Sequence, residues 1–271
     1  MFFGAKEGYV DLGQTKMRYV TFGLGEEPLV ILPGLGDGLR TVKGMRLILA
    51  RMFKDYAKKY KVFIFSRKDD LEQDYSIKEM AIDQAKAMKR LGIEKAHVLG
   101  VSMGGMIAQH LAVIHPDLVR SLVLAVTISK PNETLISVVQ RWIGLAEQGN
   151  YRGLMIDTSE RSYSEEKLKK YRALYPIITR IGKPKSFDRF IIQANACINH
   201  NIHDELHKIT IPTLIIGGAR DKIVEGKASE EIASAIEGSK LIVYPDLGHS
   251  TYEEAKDFNR HVLEFLEHIS E

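Results

Sequence analysis

The chain has a single cysteine, Cys197, which rules out an internal disulfide and fits a reducing compartment. On its own, Cys197 reads as a small buried hydrophobe. No stretch approaches the roughly 18 uncharged apolar residues that a membrane-spanning helix needs. The opening residues, Met1-Phe2-Phe3-Gly4-Ala5-Lys6-Glu7-Gly8, contain neither a basic segment nor a long apolar one. No signal peptide is expected, and the expected location is cytoplasmic. Neither sign of charge dominates: 38 Lys and Arg stand against 35 Asp and Glu, a net charge of +3, with the signs interspersed. That describes a solvated surface and argues against a nucleic-acid partner. Even the densest basic patch, Lys167-Leu168-Lys169-Lys170, sits beside Glu165 and Glu166. Internal repeats and low-complexity linkers are also missing.

What remains is an ordinary globular composition, 45% hydrophobic and 27% charged over 271 residues. This length suits one large α/β domain or two small ones, with a core that needs no staples. Short apolar runs recur at residues 28–32, 61–65, 96–101, 122–126, 213–216 and 241–244. They lack polar alternation, as befits strands buried on both faces of a parallel sheet. Two further strands, at 8–12 and 17–22, are joined by the turn Gly13-Gln14-Thr15. Helical patterns at 47–60, 76–91, 103–114, 230–236 and 253–269 alternate with these strands. The alternation predicts right-handed βαβ units and a doubly wound sheet.

Between Ser129 and Ile209 the rhythm breaks. Three amphipathic patterns follow one another without a strand: Leu135, Val138, Val139, Trp142, Ile143 and Ala146; then Leu168, Tyr171, Leu174, Tyr175 and Ile178; then Phe187, Phe190, Ile191, Ala194 and Ile198. They predict a helical cap over 130–208, inserted between core segments 1–129 and 209–271. Most of these apolar faces are expected to fill the cap's own core. A minority should line a pocket, with Trp142 a candidate for substrate contact.

The stretch Leu99-Gly100-Val101-Ser102-Met103-Gly104-Gly105 carries the chemistry. A buried strand leads into Ser102 and a helix leads out, as a nucleophile elbow requires. Gly100 and Gly104 remove side chains that would collide at so sharp a bend. A serine hydroxyl needs a base, and the base needs orienting. The run Thr213-Leu214-Ile215-Ile216-Gly217-Gly218-Ala219-Arg220-Asp221 puts a carboxylate past the end of one strand. The run Tyr244-Pro245-Asp246-Leu247-Gly248-His249 puts a histidine past the end of the next. Chemistry gathers at the C-terminal ends of parallel strands.

The segments "LPGLGDG", "GVSMGG", "IPTLIIGGARDKIV" and "LGHS", in that order, resemble the α/β-hydrolase superfamily over essentially the whole chain. The resemblance implies an α/β fold with a mostly parallel, eight-stranded, doubly wound sheet and a helical lid after the sixth strand. It implies Ser102 as nucleophile, His249 as base and Asp221 as its orienting acid. It also implies an oxyanion hole made by the backbone N–H groups of Leu35 and Met103. The family usually has His-Gly where this chain has Pro33-Gly34. Within the superfamily, "GVSMGGMIAQHLA" looks closest to capped esterases, enol-lactonases and carbon–carbon bond hydrolases. A dehalogenase is disfavoured, because those relatives carry aspartate where this chain has Ser102.

Other residues compete for roles. Asp246 is a second candidate acid, though the family pattern favours Asp221. Asp37, between Gly36 and Gly38, is expected only to form a turn. Arg67 is placed in the loop after the strand at 61–65, where it is a candidate for a substrate carboxylate or a surface ion pair. His200, His203 and His207 beside Asp204 could be read as metal ligands. Triad chemistry needs none, so neither metal nor cofactor is expected. The resulting expectation is a serine hydrolase taking a small-molecule carboxylic ester. The alternatives are an enol-lactone or carbon–carbon bond hydrolase on a dioate, with Arg67 or Arg180 as the cation, and a hydrolase-fold receptor with little turnover.

Overall fold

The computed structural model describes residues 2–270. Eight strands are β1 (Lys6–Asp11), β2 (Lys16–Phe22), β3 (Pro28–Leu32), β4 (Lys61–Lys68), β5 (Ala96–Val101), β6 (Val119–Ala125), β7 (Thr213–Gly218) and β8 (Lys240–Tyr244). They form one sheet in the order β1-β2-β4-β3-β5-β6-β7-β8. β2 runs antiparallel to both β1 and β4, and every other pairing is parallel. The α-helices are α1 (Arg46–Met52), α2 (Lys54–Ala57), α3 (Ile77–Arg90), α4 (Met103–Ile114), α5 (Glu133–Glu147), α6 (Tyr151–Ser162), α7 (Glu165–Ile178), α8 (Asp188–Ile198), α9 (Lys227–Ala235), α10 (Thr251–Glu254) and α11 (Phe258–Ser270).

The period-two geometry of a strand sends alternate side chains to opposite layers. In β5, Val98 joins the layer under α3 and α4, whereas Leu99 and Val101 join the layer under α1, α2 and α11. All six β5 residues are buried, including His97, whose Nδ1 lies 2.7 Å from Ser121 Oγ. α3 begins where Ser76 and Glu79 form a reciprocal capping box, and α5 and α7 are capped by Asn132 and Ser164.

Several elements differ from the sequence pattern. The predicted helix at 47–60 is two helices, interrupted at Phe53 (φ −101°, ψ 27°). The last one is likewise split into α10 and α11. Four helices, not three, lie between β6 and β7. The unpredicted one, α6, buries Tyr151, Leu154, Ser159 and Ser162, so half of its inward positions are serines and no apolar stripe marks it. The inward faces of α5 and α8, Trp142 included, belong to the same buried cluster as α3 and α4 instead of closing on themselves. β4 extends through Arg67 and Lys68, which the sequence pattern puts in a loop. Lys68 is buried there by charge pairing: its ammonium lies 3.2 Å from Asp83 and 2.8 Å from Glu72.

The first turn of α4 packs directly on β3. A Cβ at Gly104 would lie 1.9 Å from the Leu32 carbonyl oxygen, whereas one at Gly144, in the last turn of α5, would meet nothing within 4 Å. Gly104→Ala is therefore expected to destabilise the protein by about 3 kcal/mol or more, a large effect for one methyl, through overpacking against immovable backbone. Gly144→Ala is expected to be neutral or stabilising by up to about 1 kcal/mol. Urea unfolding of the two variants checks this contrast.

Candidate active site

β5 ends at Val101, and the next residue reverses the chain into α4. Ser102 adopts φ 54°, ψ −121°, a conformation that a non-glycine residue holds only when its surroundings impose it. The surroundings do so through hydrogen bonds. Ser102 N–H donates to the Ala125 carbonyl at 2.9 Å. Its own carbonyl accepts from Gly105 N–H at 2.8 Å, Met106 N–H at 3.2 Å and the Thr127 hydroxyl at 2.7 Å. The side chain is left free to point away from the sheet.

His249 meets it there. Ser102 Oγ lies 2.9 Å from His249 Nε2, and His249 Nδ1 lies 2.7 Å from Asp221 Oδ2. An ionised carboxylate only accepts, so Nδ1 carries the proton and donates to Asp221. Nε2 of the neutral ring is then the acceptor for the Ser102 hydroxyl. The other oxygen, Asp221 Oδ1, accepts backbone N–H from Ile223 at 2.8 Å and from Val224 at 3.0 Å. Those donors fix the carboxylate's orientation independently of the histidine. The two loops are also tied to each other, since Arg220 N–H donates to the Leu247 carbonyl at 2.9 Å. Asp246, the competing acid, is exposed and pairs with Arg220 at 2.6 Å.

The loop after β3 runs beside the nucleophile: a Cβ built on Gly34 would sit 3.3 Å from Ser102 Cβ. Leu35 opens a short 3-10 turn, Leu35–Gly38, and Met103 opens α4. First-turn N–H groups have no acceptor within their own helix. Both therefore offer backbone donors near Ser102.

Two sequence expectations about this loop are corrected. Asp37 is not a simple turn former: it is buried, accepts the Arg67 N–H at 3.0 Å and pairs with Arg189 of α8 at 2.9 Å. Arg67 is neither a surface residue nor free for a substrate. It is 2% exposed, and its guanidinium donates to the Pro33 carbonyl from below the loop. Burial pushes its pKa down while neighbouring Asp37 pulls it back up. Arg189 escaped the sequence reading, because it sits beside Phe190 on a helix whose pattern looks purely apolar.

The remaining candidates disperse. Trp142 is buried and donates its indole N–H to Asp157 at 2.9 Å, so it fastens α5 to α6. Burial would raise the Asp157 pKa, but donors from Arg161, Arg141 and Trp142 outweigh it and hold the carboxyl below its usual range. Arg180 is exposed just beyond α7. His200 is buried edge-on against His110, with ring centroids 5.3 Å apart, while His203 Nδ1 lies 2.9 Å from Ser129 Oγ and His207 is exposed. Among the described residues, no three His, Cys, Asp or Glu side chains converge as metal ligands would. Burial pushes the Cys197 thiol up to about 12, which leaves it unreactive at neutral pH. Among the described residues, no helix is long and apolar enough to cross a membrane.

The site thus joins a serine strained at the elbow after β5, a buried acid after β7 and a histidine after β8 in one hydrogen-bonded line. The family model described as "alpha/beta hydrolase fold" matches residues 27–256, and the chain belongs to that family. Among its relatives is a 2-hydroxy-6-oxononadienedioate/2-hydroxy-6-oxononatrienedioate hydrolase of Pseudomonas putida, 27% identical over 97% of this chain and 94% of the relative. Among solved structures it is similar to the enol-lactonase of Burkholderia xenovorans LB400 (TM-score 0.80, 20% identity, 96% of this chain and all of that one). It is also similar to an esterase of Exiguobacterium antarcticum (TM-score 0.76, 20% identity, 96% and 98% covered).

The geometry assigns the base's orienting carboxylate to one aspartate of two. Asp221→Asn is expected to slow labelling of Ser102 by a fluorophosphonate by about a thousandfold or more, because the ring loses its tautomer. Asp246→Asn is expected to label within about twofold of the parent protein. Intact-mass kinetics of labelling distinguish the two.

Proposed function

We propose that the protein is a serine hydrolase that cleaves small to medium carboxylic esters through an acyl-enzyme. The observation that carries this reading is the continuous hydrogen-bonded line from Ser102 Oγ through His249 to Asp221, at 2.9 and 2.7 Å. His249 Nε2 takes the hydroxyl proton as Ser102 Oγ attacks the ester carbonyl. The oxyanion is received by the N–H groups of Leu35 and Met103, the second at the positive end of α4. His249 then hands its proton to the departing alkoxide, leaving an alcohol and acylated Ser102. Water, deprotonated by the same imidazole, attacks the acyl group and releases the acid. Asp221 keeps its charge throughout and stabilises the imidazolium.

A second reading keeps the triad and changes the bond to a carbon–carbon bond of a dioate. Its support is the relative from Pseudomonas putida, whose name states that activity and which aligns over 97% of this chain. A dioate calls for a cation at the substrate carboxylate. Of the two arginines first considered for it, Arg67 is buried under the Pro33 carbonyl and Arg180 is exposed beyond the end of α7. The ester reading is preferred for that reason.

The test is hydrolysis of a chromogenic acyl-ester series from acetyl to dodecanoyl, beside Ser102→Ala. Turnover of the short and medium esters is expected, falling by about 10⁴-fold or more in the variant. Ester turnover that survives Ser102→Ala would remove the nucleophile assignment. Absence of ester turnover, with cleavage of a 2-hydroxy-6-oxo-dienedioate that Ser102→Ala abolishes, would replace the ester by the carbon–carbon bond.

A further inference from the structure

α8 belongs to the segment between β6 and β7, yet it seats on the loop that follows β3. The backbone contact is direct: a Cβ at Gly38 would lie 2.8 Å from Phe190 Cα. Beside that contact, Arg189 spends its donors entirely on core groups. Nη2 donates to Asp37 Oδ2 at 2.9 Å and to the Arg67 carbonyl at 2.8 Å. Nη1 donates to the Lys68 carbonyl, and Nε reaches the Asp37 carbonyl at 3.4 Å. Asp37 Oδ2 also accepts the Arg67 N–H, so one carboxylate oxygen joins the cap, the end of β4 and the 3-10 turn. The Asp37 side chain is 1% exposed. Its backbone N–H donates to the Gly34 carbonyl at 3.2 Å, which closes the turn that Leu35 opens. From the other side, the Arg67 guanidinium holds the Pro33 carbonyl.

We propose that Arg189 is a positioning residue for the oxyanion donor, acting from the cap through Asp37 on the turn that carries the Leu35 N–H. The inference rests on the acyl-transfer reading above and deepens it. Two physical effects follow. Nη2 on the Asp37 carboxylate and Nε on the Asp37 main-chain carbonyl together hold the turn, and donors serve an oxyanion only when held in place beforehand. The guanidinium also cancels a buried carboxylate only two residues from Leu35. Without Arg189, only the buried Arg67 guanidinium would offset that negative charge, and the carboxylate would oppose a nearby oxyanion more strongly. Arg189 does not act on substrate, since its donors are taken up by Asp37, Arg67 and Lys68. Its removal should lower kcat and leave KM nearly alone.

The test is ester turnover by Arg189→Gln and Arg189→Lys, with kcat expressed per Ser102 titrated by a fluorophosphonate. Arg189→Gln is expected to lose about thirtyfold to a hundredfold in kcat with KM within about threefold, the scale of a displaced catalytic donor. Arg189→Lys, which keeps the charge and loses the fork, is expected to recover part of that loss. Affinity for an alkyl boronic acid, which places an anionic oxygen in the hole, should fall in parallel with kcat. If Arg189→Gln does not fold, Asp37→Asn/Arg189→Gln removes the ion pair as a unit, leaves the buried Arg67 guanidinium on the Pro33 carbonyl, and is the variant to read. A tenfold or larger loss of kcat there, at unchanged KM, also supports the proposal. Unchanged kcat per titrated serine in whichever variant folds, with only a lower melting temperature, would overturn it and leave the pair a purely structural clasp. A parent protein that is not labelled at Ser102, and turns over no ester, would instead count against the acyl-transfer reading itself.

Discussion

Everything at the site depends on one tight contact, the first turn of α4 lying against the backbone of β3. Ser102 keeps φ 54° because the chain must leave β5 and enter α4 within a single residue. It can do so only if α4 starts almost on the Leu32 carbonyl, where Gly104 presents no side chain. The strain is of the order of 1–3 kcal/mol at one residue. Four hydrogen bonds offset it locally, one donated by Ser102 N–H to the Ala125 carbonyl and three accepted by the Ser102 carbonyl from Gly105, Met106 and Thr127. The same contact brings the Pro33–Gly34 backbone beside the serine, so nucleophile and oxyanion loop share one cause.

The inserted helices hold the loops that carry Asp221, His249 and Leu35. At the start of α5, the Asn132 side chain donates to the Val224 carbonyl at 2.9 Å, and Thr134 bonds Glu225, just beyond the acid Asp221. At the α6–α7 junction, the Ser162 carbonyl accepts Ser250 N–H at 2.9 Å, next to His249, and Tyr163 donates to Glu253 at 2.8 Å. At α8, Arg189 grips Asp37. Asp221, His249 and the 3-10 turn at Leu35–Gly38 are thus each fastened to a different part of the insertion. Such an insertion works as a wall of the site more than as a loose cover, and residues far from the reacting atoms gain leverage on geometry.

Much of the site was legible in the sequence, for a physical reason. Ser102, Asp221 and His249 each follow a short apolar strand, and parallel sheets collect chemistry at those ends. The β3, β5 and α4 boundaries were readable because burial on both faces leaves unbroken apolar runs bounded by glycine or by His115-Pro116. What escaped was whatever depends on partners distant in sequence. Asp37 and Arg189 are 152 positions apart, and nothing local says that a turn aspartate will be buried. The Arg67–Lys68 end of β4 looked like a loop because its burial rests on Asp37, Asp83 and main-chain carbonyls, not on hydrophobicity. α6 escaped because serines occupy half of its inward positions.

The central claim is that Ser102 becomes covalently acylated during turnover. The most direct measurement is rapid acid quench with a medium-chain ester, followed by peptide mapping by mass spectrometry. The account expects the acyl group on Ser102, appearing before steady state and disappearing as substrate is exhausted. An acyl adduct on another residue, or turnover with no adduct at any quench time while Ser102→Ala remains active, would contradict it.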